Sequence, residues 1–324
     1  MPIRNSFWSI FALAWILCAA RASLGGDVRS EVRRAQDLET AGRYEQAITV
    51  YRAVLRGEPK SLRANVGLGR ACFHVNQYSE AAASFGRALQ LAAGNAEIVE
   101  WLAKSYLRNG EPQKVVELLN HENSIAGHFA WAHLLLAHAF DAQDKVAEAT
   151  GELQRALALD PGCRGAHFAL GFFARTSGDL ETAKKEFLQE LALDSREDLT
   201  LYYLAETMEG QGKLDEAEAV LEKMGSAAPE TYLYHFAMGK LSQRKQNFES
   251  AAQEFRAAIR LDPRQSEAHY HLAVVLRRLG ETAQANEELD RSSQLRVGMR
   301  PEAGQGMGRM RPHLPEFDLP KIGD

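Results

Sequence analysis

The segment "NFESAAQEFRAAIRLDP", from Asn247 to Pro263, repeats the pattern of "KVAEATGELQRALALDP", from Lys145 to Pro161. In both, a large apolar residue lies four positions after an Ala, a second Ala follows three positions later, and Leu-Asp-Pro ends the segment. The two segments begin 102 residues apart (247 against 145), which is three times 34. A segment that recurs at a multiple of a fixed repeat length predicts a repeat array whose copies stack on one another.

The 34-residue register extends over most of the chain without an insertion. Small residues occupy the eighth position of every segment, and Ala occupies the twentieth in all but one. Apolar residues at positions 4, 7, 8 and 11 form one helical stripe, and those at 20, 24 and 27 form a second. Each segment therefore predicts two closely packed helices, and in four of the eight segments a Pro ends the second helix. The eight segments begin at Val28, Leu62, Ala96, Ala130, Arg164, Asp198, Tyr232 and Ser266.

The pairs Leu170-Gly171, Ala183-x-x-x-Phe187 and Ala251-x-x-x-Phe255, at a period of 34, resemble the tetratricopeptide repeat. The resemblance covers residues 28–299. It implies an all-α fold, a right-handed α-α superhelical solenoid of about eight tandem helix-turn-helix repeats.

The chain departs from this family at position 4, where a Trp or another large residue is usual. Four segments have His there: His133, His167, His235 and His269. Helices in a stack lie about 8–10 Å apart, whereas zinc ligands lie about 2 Å from one ion. We therefore interpret these imidazoles as packing in place of an aromatic ring and predict no metal site.

The two termini lack the repeat. A 14-residue apolar run from Phe7 to Ala20, followed by Ala22, predicts a secretory signal peptide over residues 1–22. An uncleaved N-terminal membrane anchor over residues 7–20 is the alternative. The protein is thus expected to be exported, to the periplasm or the outside of the cell. Residues 300–324 are rich in Pro and Gly and predict a disordered tail; the segment around Leu314 could instead fold back as an intramolecular ligand.

Composition and motifs exclude several classes of function. The net charge is −5, from 43 acidic and 38 basic residues, which argues against a nucleic-acid-binding protein. No HExxH, CxxC or GxSxG motif occurs, so we predict no catalytic residues and no cofactor. If the signal peptide is cleaved after Ala22, only Cys72 and Cys163 remain, too few for a disulfide scaffold, and Cys72 is expected in the core. The third segment is irregular, which predicts a short second helix from Pro112 and a flexible seam after the third repeat.

In the family that the chain resembles, positions 2, 5, 9 and 12 of each first helix face a concave groove. The resemblance thus implies a peptide-binding groove with aromatic rings and scattered positive charge. Its predicted residues are Trp131, Phe168, Phe172, Arg175, Tyr202, Phe236, Lys240, Tyr270 and Arg277. The alternative interpretation is that these rings pack against one another as core.

These observations favour a non-enzymatic scaffold that binds a peptide or protein segment in its groove. Contact with a membrane is expected only through an uncleaved N-terminal anchor. Two alternatives stay open: an accessory subunit of a cell-envelope enzyme, and a structural assembly component that acts through its convex face or array ends.

Overall fold

The computed structural model describes residues 28–122, 125, 127–195, 198–227, 230–298 and Leu314. The predicted signal peptide, and the predicted tail apart from Leu314, lie outside these residues. The described part of the chain contains sixteen α-helices and no strand, which confirms the all-α class. None of the helices in these ranges is long and apolar enough to cross a membrane.

The helices follow one another as tandem helix-turn-helix pairs, an odd-numbered helix and then an even-numbered one. They are α1 (28–40), α2 (Tyr44–Gly57), α3 (Leu62–His74), α4 (Tyr78–Leu91), α5 (Ala96–Arg108), α6 (Pro112–His121), α7 (Ala130–Asp141), α8 (Val146–Leu159), α9 (Ala166–Ser177), α10 (Leu180–Leu193), α11 (Asp198–Gly210), α12 (Leu214–Ala227), α13 (Tyr232–Arg244), α14 (Phe248–Leu261), α15 (Ser266–Arg278) and α16 (Thr282–Gly298).

The first helix of the fifth pair begins two residues later than the 34-residue register predicts. The register places its start at Arg164, whereas α9 begins at Ala166. Gly165 has φ +85, a left-handed conformation that cannot continue a helix. The buried Glu190 carboxylate accepts hydrogen bonds from the backbone N–H groups of Gly165, at 2.8 Å, and Phe168, at 3.1 Å. A carboxylate at a helix N-terminus accepts hydrogen bonds from N–H groups that have no partner within the helix. Its negative charge is also attracted to the positive end of the helix dipole.

The third helix pair is irregular, as the sequence predicted. Helix α6 has 10 residues, whereas α4 and α10 have 14 each, and Pro112 occupies its first turn. The chain divides into two compact units, but the division falls between Gln143 and Asp144 rather than after the third repeat. Helix α7 packs against α5 and α6 and so belongs with the N-terminal unit. The flexible seam after the third repeat stays a prediction.

Glycines at position 8 allow the two helices of a pair to approach each other most closely. A Cβ added to Gly239 would lie 2.6 Å from a ring atom of Phe255, and one added to Gly171 would lie 2.8 Å from the ring of Phe187. Both rings are fully buried. These rings therefore occupy the space that a methyl group at position 8 would need.

Both cysteines of the described residues are buried, free thiols. Cys72 is fully buried in the core, as the sequence predicted. Burial raises the pKa of the Cys72 thiol to about 12 and that of Cys163 to about 11. Both side chains therefore act as small apolar core residues.

Candidate binding groove in the C-terminal unit

Most of the aromatic rings at position 5 lie beneath the surface of the C-terminal unit. Phe168, Phe236 and Tyr202 are 1%, 4% and 9% exposed, whereas Tyr270 is 41% exposed. The next helix pair covers each of the first three: the Phe168 ring lies 5.7 Å from that of Tyr203, and the Phe236 ring 5.6 Å from that of His271. Tyr270 belongs to the last described helix pair, which leaves it open to solvent.

The position of Phe168 agrees with the alternative interpretation, in which the rings pack against one another as core. It contacts Phe187, at a ring separation of 5.8 Å, and Tyr203, so it offers no surface to a ligand. Phe172 is buried in the same layer, and its ring lies 5.4 Å from that of Tyr203. Tyr202 and Phe236 also contribute mainly to the core cluster of this unit.

Two predicted groove residues lie apart from this cluster. Trp131 is in the N-terminal unit, where it is half-buried with its ring 5.7 Å from that of Phe129. Arg277 is exposed and donates a hydrogen bond to Asn286 of the second helix in its own pair.

A line of alternating charges crosses three successive helix pairs of the C-terminal unit. Arg175 of α9 and Lys240 of α13 each form an ion pair with Glu206 of α11 between them. The hydroxyl of Tyr202 donates a hydrogen bond of 2.8 Å to the same carboxylate. The Arg175 guanidinium lies over the Tyr203 ring at 5.2 Å. The buried rings thus pack beneath the charged side chains of this line.

The environment keeps Glu206 ionised. Burial is the largest influence and by itself would raise the pKa of this carboxyl group, but Lys240 and Arg175 outweigh it and lower the pKa. Hydrogen bonds from Lys240 and Tyr202 add to the lowering. Glu206 is therefore a negative charge at neutral pH, held between two cations.

Two clefts, of 920 Å³ and 420 Å³, open beside this line and share Arg175, Glu206, Lys240 and His271. The larger is also lined by Leu180, Glu209, Gly210, Gln243, Arg244, Gln246, Phe248, Val274 and Arg278. The smaller is also lined by Phe172, Tyr202, Tyr203, Phe236, Glu267, Tyr270 and Arg296. We call the surface formed by both clefts the charged groove.

Positive charge exceeds negative charge in the larger cleft. Arg175, Lys240, Arg244 and Arg278 face two carboxylates, Glu206 and Glu209. Burial raises the pKa of Glu209, although Lys240 and Arg244 oppose this shift. A ligand with acidic groups would thus find complementary charge there.

His271 lies where the two clefts meet. Its Nδ1 atom is 3.0 Å from Oε1 of Gln243, and its ring stacks on Phe255 at a centroid distance of 5.4 Å. Burial lowers the pKa of His271 to about 4; the nearby Lys240 ammonium adds to this shift, and Glu206 opposes it. The groove therefore contains a neutral imidazole at neutral pH.

We expect His271 to make the C-terminal unit acid-sensitive. Between pH 6.5 and 4 the unfolded chain protonates this imidazole and the folded chain does not, so the free energy of unfolding falls as the pH falls. The loss should reach about 3 kcal/mol at pH 4. Urea unfolding of the wild type and of His271→Phe at pH 7 and pH 4.5 measures it. The substituted chain should lose less stability; an equal loss in both chains would contradict the assignment.

Three histidines of the position-4 column, His167, His235 and His269, pair with glutamates, which the sequence did not lead us to predict. Nδ1 of His167 and of His235 lie 2.7 Å from the carboxylates of Glu186 and Glu254, and Nδ1 of His269 lies 2.5 Å from that of Glu288. Nε2 of His269 is also 3.1 Å from the carbonyl oxygen of Pro263. These imidazoles link the two helices of a pair by polar contacts, and do not merely fill the place of an aromatic ring.

The signal for these pairs is present in the sequence. The partners are 19 residues apart, at positions 4 and 23 of one repeat. Where position 4 is apolar, as at Val99 and Leu201, position 23 is apolar too, at Leu118 and Val220. Within the described residues, no group of three or more His, Cys, Asp or Glu side chains could hold a metal ion.

Comparison with known proteins identifies the repeats. The family described as tetratricopeptide repeat matches residues 32–96, 134–198 and 236–294, and a second family of the same description matches residues 199–223. Together these ranges take in more than half of the chain.

Two curated proteins resemble the chain over most of its length. Superkiller protein 3 of Schizosaccharomyces pombe is 21% identical over 265 residues, which span 76% of this chain and 19% of that protein. Cellulose synthase operon protein C of Xanthomonas axonopodis pv. citri is 26% identical over 240 residues, 64% of this chain and 16% of that protein. The chain thus spans less than a fifth of the length of either relative.

Two solved structures share the fold. A tetratricopeptide repeat protein from Parabacteroides merdae superposes with a TM-score of 0.63 at 18% identity, over 77% of this chain and 98% of that one. A chain of the APC/C hetero-tetramer Cut9–Hcn1 superposes with a TM-score of 0.60 at 14% identity, over 81% of this chain and 52% of that one. At these identities the likeness establishes the fold alone.

Proposed function

Since this chain belongs to the tetratricopeptide repeat family, whose members are protein–protein interaction scaffolds, we propose that it binds an acidic, partly apolar protein segment in the charged groove. The observation that carries the proposal is the line Arg175–Glu206–Lys240, which crosses three helix pairs beside a cleft of 920 Å³. The scaffold fold is typically non-catalytic, and the proposed activity is binding without chemistry.

Two kinds of contact support binding at this surface. Arg244 and Arg278 are exposed along the larger cleft and can pair with carboxylates of a ligand. Tyr270 presents a half-exposed ring along the smaller cleft, where an apolar side chain can pack. An extended segment that spans both clefts could use both kinds of contact at once.

The helical platform limits the entropic cost of binding. The rings beneath the groove are buried, and Glu206 holds Arg175 and Lys240 in place before a ligand arrives. A preorganised surface loses little side-chain freedom on association. We further propose that the partner is an exported or cell-envelope protein, because residues 1–22 have the sequence features of a signal peptide.

A capture experiment with matched variants tests this proposal. The double substitution Tyr270→Ala with Arg278→Glu changes two exposed groove residues. The control, Leu261→Ala with Arg260→Glu, makes the same kinds of change on α14, where Leu261 is 42% exposed against 41% for Tyr270. Both variants should keep the helical circular dichroism of the wild type, because all four side chains reach solvent.

We expect the wild type and the control to retain the same partner from the exported fraction, identified by mass spectrometry. The groove variant should retain at least tenfold less, since it loses an apolar contact and reverses a charge. Equal retention by all three chains would show that the charged groove is not the binding surface.

A further inference from the structure

The chain leaves its last helix at the rim of the charged groove. Arg296, in the final turn of α16, lines the smaller cleft. Its guanidinium lies over the Tyr270 ring at 5.5 Å. Helix α16 ends two residues later, at Gly298, so the residues that follow begin beside the groove.

A side chain beyond this helix returns to the C-terminal unit. Leu314 is half-buried and packs against the apolar cluster that contains Tyr202 and Phe236. It is the one residue after Gly298 that the structure describes. Leu314 lies sixteen positions after Gly298, and a chain of that length can reach at most about 55 Å. That length is ample for the segment to lie along the groove.

The segment around Leu314 has the chemistry that the charged groove favours. Residues 310–324 read "MRPHLPEFDLPKIGD". Two carboxylates, Glu316 and Asp318, flank Phe317 and can face the cations of the larger cleft. Prolines at positions 312, 315 and 320 favour extended backbone and reduce the entropy lost on binding.

We propose that residues 310–324 are an intramolecular ligand of the charged groove, with Leu314 as one apolar anchor. The inference rests on the proposed function, because it assigns an internal occupant to the same surface. An external partner must displace this segment, so the apparent affinity of the groove falls in proportion to the fraction of molecules in which it is open. The C-terminal segment thereby limits binding to partners that outcompete it.

A labelled peptide tests the proposal in the full-length chain. Fluorescence anisotropy measures the binding of a fluorescein-labelled peptide with the sequence of residues 310–324 to the wild type, to Leu314→Glu and to Ala303→Glu. The first substitution should release the tethered segment, because it places a charge at an apolar contact. The second adds the same charge between Gly298 and the proposed ligand, outside residues 310–324.

We expect Leu314→Glu to bind the free peptide at least tenfold more tightly than the wild type or Ala303→Glu. Adding Tyr270→Ala and Arg278→Glu to the Leu314→Glu chain should abolish this gain, and a peptide that itself carries Leu314→Glu should not bind. Leu314→Ser, a milder change, should show the same trend if the glutamate impairs folding. Equal binding by wild type and Leu314→Glu, or no binding by either, would overturn the proposal.

The two proposals fail in different ways. If the peptide does not bind while capture of the partner still depends on Tyr270 and Arg278, the intramolecular ligand is wrong and the binding groove stands. If neither the peptide nor the partner responds to the groove substitutions, the proposed function itself is wrong.

Discussion

Replacing Gly239 by Ala is expected to lower the free energy of unfolding of the C-terminal unit by about 2 kcal/mol. The added Cβ would lie 2.6 Å from a ring atom of Phe255, a side chain with no exposed surface. In a helix interior Ala is otherwise favoured over Gly by about 1 kcal/mol. The sign of the measured change therefore shows which effect is larger, and urea unfolding followed by circular dichroism measures it.

A compensating substitution should restore most of the loss. Phe255→Leu alone is expected to cost about 1–2 kcal/mol, because it leaves a cavity under the helix pair. The combination Ala with Leu already occurs at positions 8 and 24 of four other repeats, at Ala103/Leu119, Ala137/Leu153, Ala205/Leu221 and Ala273/Leu289. The double variant should thus be more stable than the sum of the single changes predicts, by about 1–2 kcal/mol.

Strict additivity of the two changes would contradict this account of the helix contact. A matched control comes from the same helix as Phe255. Gln253→Ala changes an exposed residue of α14, and its effect should add to that of Gly239→Ala without coupling.

The fold was predictable because spacing and size alone determine it. Small residues at positions 8 and 20 and large ones at position 24 recur every 34 residues, and each pair of helices buries them against its neighbours. Gly178 and Gly212, at position 15 of their repeats, both have positive φ in the turn between the two helices of a pair. Glycine is the residue that adopts this conformation without strain.

Some local features depend on contacts that a one-dimensional pattern does not contain. Asp144 and Gln246 adopt the same left-handed turn conformation, with φ of 59° and 61°, although neither residue indicates a turn as strongly as Gly. The displaced start of α9 depends on the carboxylate of Glu190, which lies 25 residues from Gly165 along the chain. Packing of the helix pair determines the local backbone at these sites.

The candidate groove could be predicted only in part. The sequence identified Arg175, Lys240 and Tyr270, which line the clefts, but it missed Glu206 as the carboxylate that joins the two cations. It also could not show that each next helix pair would cover Phe168 and Phe236. The accessibility of a side chain depends on its neighbours in the stack, and periodicity alone does not reveal them.

Replacing Glu206 by Gln is expected to destabilise the C-terminal unit and to strengthen its binding of acidic ligands. The substitution leaves Arg175 and Lys240 facing each other with no negative charge between them, while both side chains stay about three-quarters buried, at 26% and 24% exposure. Removing one partner of a fully buried ion pair costs about 3–5 kcal/mol, so we expect about 2 kcal/mol for these partly exposed cations. Urea unfolding at pH 7 measures this loss.

The dependence on pH identifies the charge of Glu206 as the cause. The pKa of Glu206 is lowered in the folded chain, so its stabilising contribution is complete above the pKa of the unfolded chain and is lost as the pH falls through the folded value. The difference in stability between the wild type and Glu206→Gln should therefore shrink under acid conditions. A difference that persists undiminished at pH 3 would point to packing instead of charge.

An exposed ion pair provides the matched control for this substitution. Glu218 accepts a hydrogen bond of 2.7 Å from Lys245, but 41% of its side chain is exposed, so Glu218→Gln should leave stability unchanged within error.

In Glu206→Gln the two cations become available to a ligand. The labelled acidic peptide should therefore bind the double variant Glu206→Gln with Leu314→Glu more tightly than it binds Leu314→Glu alone. Weaker binding would mean that Glu206 itself contacts the ligand. A loss of stability together with a gain of affinity would show that Glu206 occupies the place in the groove that a carboxylate of the partner would otherwise take.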